Sequence, residues 1–205
     1  MQDKLRLVAI IRNVDPGEVV PITEALLEEG INSVELSLSD PEKGFSCIEE
    51  LKKRHFEELY IGAGTVMRQN EVDRLAAAGV KYFFCAGFDG TLVDYAASRD
   101  LLAIPGVLTP SEVQQCIVRG MKLLKLFPAN VFHTRYIKDL HGPFPGAAFL
   151  AVGGVGPDNF GEYLKAGFWG AGIGGSLVPQ GANREQIPQI REAAKKCIAV
   201  LNGDK

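Results

Sequence analysis

Short apolar runs alternate with amphipathic segments eight times along this chain, and that alternation restricts its folding more than any other feature. The runs are Leu5 to Ile11, Ser33 to Leu38, Leu59 to Ala63, Tyr82 to Cys85, Leu101 to Ile104, Lys122 to Phe127, Ala148 to Val152 and Gly170 to Gly174. Each has the length and composition of a strand. Helical patterns lie between them. In Asp15 to Glu29, Pro16 suits a first helical turn and Gly30 a C-terminal stop, and Gly79, Gly120 and Gly167 close later helices the same way. The last helix is expected over Gln186 to Leu201, ahead of a polar tail.

A strand-then-helix period of about 25 residues implies parallel pairing. Eight such units close into an α/β fold, a single-domain (β/α)8 TIM barrel over residues 1–205. An open doubly wound sheet is the alternative. Against it, the first run is followed by Ile11-Arg12-Asn13-Val14 rather than by a Gly-x-Gly-x-x-Gly turn.

Composition removes several functions. With 205 residues and 46% hydrophobic content, the chain can bury one sizeable core. A net charge of -3 offers no basic face for nucleic acid, and Lys52-Lys53-Arg54, set among glutamates, reads as a solvated helix face. No apolar stretch approaches the ~20 residues of a membrane helix, and no signal-peptide pattern opens the chain, so a cytosolic protein without a membrane partner is expected. Cys47, Cys85, Cys116 and Cys197 form no Cys-x-x-Cys pair and read as reduced packing residues. His55, His133 and His141 lack metal-ligand spacing, so neither a metal nor a cofactor is expected.

In a barrel of this kind the functional residues lie at the C-terminal ends of the strands. Lys125 places an amine inside Leu123-Leu124-Lys125-Leu126-Phe127, where burial would lower its pKa and make it a nucleophile toward a carbonyl. A lysine whose amine snorkels to water is the plainer alternative. Glu35, in Val34-Glu35-Leu36, could move protons around a lysine-bound intermediate, could pair with Lys125 merely to join strands, or could sit at an exposed strand end. Gly153-Gly154 and Gly174-Gly175-Ser176 end the seventh and eighth strands, where barrels often bind phosphate through backbone amides and a following helix dipole. Either pair alone would signify only a tight turn. Gly62-Ala63-Gly64-Thr65 lacks the ending of a nucleotide P-loop, but its amides and the Thr65 hydroxyl could hold a small carboxylate. Arg12 could clamp an anion or simply cap a surface loop.

Six segments in register resemble the family of 2-keto-3-deoxy-6-phosphogluconate (KDPG) and 4-hydroxy-2-oxoglutarate (KHG) aldolases, with its galactonate-specific relatives. They are Val34-Glu35-Leu36, Gly62-Ala63-Gly64-Thr65-Val66, Ile104-Pro105-Gly106-Val107, Leu124 to Ala129, Gly153-Gly154-Val155 and Gly174-Gly175-Ser176. The resemblance implies a (β/α)8 barrel, assembly as a homotrimer, and metal-free class I cleavage of a phosphorylated keto acid to pyruvate and glyceraldehyde 3-phosphate. With 4-hydroxy-2-oxoglutarate the second product would be glyoxylate.

It further implies that Lys125 forms the Schiff base, Glu35 shuttles protons, Gly64 and Thr65 lie near the pyruvate carboxylate, and Phe127 packs on the pyruvyl unit. The Gly153-Gly154 and Gly174-Gly175-Ser176 loops would hold phosphate, and Arg12 would bind substrate anion. Ser39 stands where many gluconate-specific members carry arginine, and Ala86 where many carry proline. Ala151-Val152 is closer to the galactonate-specific group, which leaves the preferred C4 epimer open. Two other functions fit a phosphate-binding barrel: isomerase or synthase chemistry with no covalent role for Lys125, and a non-catalytic phospho-sugar-binding barrel.

Overall fold

A computed structural model describes residues 2–56 and 58–203. Nine parallel strands form one sheet: β1 (Leu7–Ile11), β2 (Ser33–Ser37), β3 (Tyr60–Gly64), β4 (Tyr82–Phe84), β5 (Leu102–Ile104), β6 (Gly106–Val107), β7 (Leu123–Leu126), β8 (Ala148–Val152) and β9 (Gly170–Ile173). Their order is β5-β4-β3-β2-β1-β9-β8-β7-β6. The expected eight barrel strands are recovered, and a two-residue strand, β6, follows the fifth beyond its expected end. Pro105 has no N–H to give a ladder, so it separates β5, which pairs with β4, from β6, which pairs with β7. The Lys125 amide donates to the Pro105 carbonyl at 3.0 Å, and the ring closes at this proline.

Among the described residues, eight α-helices surround the barrel: α1 (Pro16–Glu28), α2 (Pro41–Arg54), α3 (Gln69–Ala77), α4 (Gly90–Ala97), α5 (Pro110–Val118), α6 (Tyr136–His141), α7 (Phe160–Ala166) and α8 (Ile187–Asn202). Pro16, Pro41 and Pro110 sit in first turns, where a missing N–H costs nothing. Asp40 and Thr109 cap α2 and α5 by accepting from the amides of Lys43 and Glu112. Gly30, Gly79, Gly120 and Gly167 follow helices with positive φ, the role expected of them. Residues 204 and 205 of the polar tail lie outside the described residues.

Period-2 alternation separates two cores. Leu7, Ala9, Ile11, Val34, Leu36, Phe83, Leu124, Leu126, Phe149 and Ile173 face the helices. Val8, Ile10, Tyr82, Phe84, Ile104, Leu123, Leu150 and Val152 fill the barrel, with Tyr60, Leu102, Phe127 and Trp169 packed against them. Strands buried on both faces explain why the sequence shows continuous apolar runs rather than alternation. The runs overshoot slightly: Leu5 belongs to a short 3-10 turn, and Lys122 is exposed just outside β7.

The four cysteines are free and buried. In α2, Lys53 and Arg54 pair with Glu50 and Glu24 on an exposed face. Among the described residues, no helix is long and apolar enough to cross a membrane. None of their His, Cys, Asp and Glu side chains group in threes to hold a metal ion.

Candidate active site

Lys125 shares the inward parity of Leu123 on β7, and it is only 6% exposed. Its Nζ lies 4.6 Å from the Phe127 ring centroid and 5.6 Å from that of Phe84. Burial among these rings disfavours the ammonium and lowers its pKa, an effect that Glu35 and Cys85 partly offset and Arg12 reinforces. The snorkelling alternative does not describe this residue.

Glu35, on the inner face of β2, is 2% exposed, and its Oε2 has no hydrogen-bond partner. Burial raises its carboxyl pKa from 4.5 to about 6, against the opposing pull of Lys125 and Arg12. No ion pair joins it to Lys125 within 4.0 Å, so the two side chains do not form a strand-joining bridge. Two groups of this kind, an amine made less basic and an acid made less acidic, are the complement that imine and proton-transfer chemistry require at neutral pH.

Gly64 contributes in a way that the expectation of exposed amides does not capture. It is buried at the end of β3, and a Cβ there would lie 1.6 Å from Glu35 Oε1. The missing side chain is the space that the carboxylate occupies. Thr65 follows with φ of 63°, a strained conformation for a β-branched residue. Its hydroxyl is 3.5 Å from Ser37 Oγ, which in turn donates to Ser39 Oγ at 3.1 Å. Three hydroxyls therefore gather at the end of β2 and β3, one layer above Glu35. Ser37, 5% exposed, was legible only through its parity with Glu35.

Above this interior opens a cavity of about 700 Å³ bounded by Arg12, Phe127, Gly153, Gly154, Gly156, Asn159, Gly174, Gly175 and Ser176. Phe127 is shared by both compartments. Gly153 and Gly154 adopt φ of 93° and 75°, and a Cβ on Gly154 would meet Asn130 at 2.5 Å. Asn159 braces this loop by accepting from the Gly156 amide at 2.8 Å and donating to the Gly154 carbonyl at 2.9 Å. Ser176 Oγ donates to the Val155 carbonyl at 3.1 Å, tying the two glycine loops together. Arg12 is exposed at the rim.

The expected helix dipoles need correction. Val155 to Asn159 separates Gly154 from α7, and Gly174 to Val178 forms only a turn, in which Leu177 and Val178 donate to the Gly174 carbonyl. The two glycine loops and Arg12 line this end of the cavity. Asn159 carries no signal in the sequence, because its brace depends on the loop geometry.

Comparison with known proteins agrees with this geometry. The family model for KDPG and KHG aldolases matches residues 1–192. The chain is 33% identical over 196 residues to the 2-dehydro-3-deoxy-6-phosphogalactonate aldolase of Escherichia coli strain K12, covering 95% of each chain. A native KDPGal structure superposes with a TM-score of 0.88 at 28% identity, over 97% of this chain and 95% of that one. The KDPG aldolase of Legionella pneumophila, with pyruvate captured at low pH as a covalent carbinolamine intermediate, gives a TM-score of 0.83 at 28% identity, over 95% of this chain and 93% of that one. A parallel barrel with an inward lysine and glutamate, matched along nearly its whole length, places this chain in the KDPG and KHG aldolase family.

Proposed function

We propose that this aldolase is of class I and cleaves a 2-dehydro-3-deoxy-6-phospho sugar acid, of the gluconate or galactonate series, to pyruvate and glyceraldehyde 3-phosphate. The observation that carries the reading is Lys125: an inward amine, 6% exposed, with its pKa lowered by burial beside an unpartnered carboxyl. The neutral amine attacks C2 of the keto acid, and loss of water from the carbinolamine leaves an iminium. Glu35 takes the proton of the C4 hydroxyl, the C3–C4 bond breaks, and its electron pair moves into the iminium to give an enamine while the aldehyde departs. The proton returns from Glu35 to C3, and water releases pyruvate and the free lysine.

Thr65 and its hydroxyl neighbours suit the keto-acid carboxylate, and Phe127 suits the pyruvyl face. Arg12, Gly153, Gly154, Gly174, Gly175 and Ser176 suit the phosphate end, in the cavity above the barrel interior. A phosphate-free substrate such as 4-hydroxy-2-oxoglutarate forgoes those contacts and turns over less efficiently. Homotrimeric assembly of the one-domain chain rests on the family resemblance, and light scattering of the purified protein tests it.

The direct assay supplies both phosphorylated epimers, with and without EDTA, and follows pyruvate through a coupled dehydrogenase. EDTA-insensitive pyruvate release from at least one epimer is expected, and none from either refutes the reading. Tight phospho-ligand binding without release would favour the non-catalytic barrel. A Lys125→Arg variant with near-normal turnover would favour isomerase or synthase chemistry.

A further inference from the structure

An aromatic stack runs up the barrel interior toward the lysine. Tyr60 and Tyr82 lie parallel, with centroids 5.3 Å apart and planes 14° apart. Tyr82 contacts Phe84 at 5.6 Å, and Phe84 lies 5.6 Å from Lys125 Nζ. Glu35, Gly62 and Tyr82 occupy one row of the sheet, on β2, β3 and β4.

Tyr82 does more than fill this space. It is fully buried, and its hydroxyl crosses β3 to donate to the Val34 carbonyl on β2 at 2.8 Å. The crossing requires Gly62, because a Cβ there would lie 2.3 Å from Tyr82 Cζ. Val34 supplies the carbonyl of the peptide whose amide belongs to Glu35. One side chain is therefore bonded to the peptide that carries the acid and packed against the ring that lies near the amine. Packing alone would be met by phenylalanine, since a buried phenol costs free energy unless it is bonded. Tyr60 shows the contrast, with a buried hydroxyl that has no partner among the described residues.

We infer that Tyr82 is a positioning residue, which sets the Glu35 carboxylate against the lysine-bound substrate by tying the Val34–Glu35 peptide to the aromatic stack near Lys125. The inference rests on the aldolase reading of Lys125 and Glu35. In that reading, Glu35 removes a methyl proton from the pyruvate iminium, the electron pair forms the enamine, and a proton or deuteron returns to C3. Adduct formation needs Lys125, whereas exchange also needs Glu35 in place.

The test compares Tyr82→Phe with the parent in two measurements using pyruvate. Borohydride trapping reads adduct formation, and NMR reads methyl hydrogen–deuterium exchange. Trapping within about twofold of the parent is expected, with exchange slowed roughly tenfold, because a small misplacement of a proton-transfer group is costly. Tyr60→Phe, which removes the unpartnered hydroxyl, is expected to leave both unchanged.

Exchange at the parent rate in Tyr82→Phe overturns the inference. Equal loss of trapping and exchange, or a matching loss in Tyr60→Phe, assigns Tyr82 to the core alone and overturns it too. No adduct in the parent would sink the aldolase reading itself and the inference with it, an outcome distinct from the other three.

Discussion

Replacing Glu35 by glutamine separates what the carboxyl costs the fold from what it gives the chemistry. Its folded pKa of about 6 lies above the ordinary 4.5 because burial disfavours the anion. Between those values the folded state holds more protons than the unfolded state, so the parent's stability falls as pH rises through this window. At about 1.4 kcal/mol per pH unit, the gap corresponds to ~2 kcal/mol, fully expressed above pH ~7. Glutamine preserves the shape and a buried neutral polar group, so parent and Glu35→Gln should have similar stability near pH 4.5. By pH 8 the variant should be the more stable by ~2 kcal/mol, or roughly 4–8 °C in Tm for a domain of this size. Pyruvate release should be lost at every pH. Thermal unfolding at half-unit pH steps reads the difference. Parallel parent and variant curves would refute the reasoning, because they would mean that Glu35 ionises as freely in the folded state as in the unfolded chain.

Lys125→Met should abolish adduct formation and raise stability at neutral pH; burial lowers the lysine's folded pKa below 10.5, so the advantage should shrink as pH rises toward that value. Chemical denaturation at pH 7 and 10 checks the direction. Gly64→Ala puts a methyl on Glu35 Oε1, and it should cost roughly 1–3 kcal/mol and at least about a hundredfold in kcat, measured by unfolding and pyruvate release. Gly154→Ala strains a φ of 75° against Asn130 and should raise KM for the phosphorylated substrate while leaving pyruvate trapping on Lys125 near the parent level. Dialysis against chelator should leave pyruvate release unchanged, measured before and after adding back divalent cations.

Strand count and helix stops were legible because they rest on local chemistry: apolar runs, prolines in first turns and glycines at helix ends. The short β6 beyond Pro105 was less visible, since the fifth apolar run reads as ending at Ile104. Lys125 and Glu35 stood out as charges in apolar runs, and only the structure placed them on the inner face. Gly64 illustrates what the sequence withheld. A glycine before Thr65 suggests an open loop, but its purpose depends on a carboxylate arriving from the neighbouring strand. Tyr82 read as an ordinary core aromatic for the same reason, because its partner carbonyl lies two strands away across Gly62.

Borohydride reduction of the protein in the presence of pyruvate, followed by peptide mass mapping, interrogates the buried amine most directly. A single reduced pyruvyl group on Lys125, absent without pyruvate and absent from Lys125→Met, is the predicted result. Label spread over surface lysines such as Lys122 with Lys125 unmodified would contradict the account.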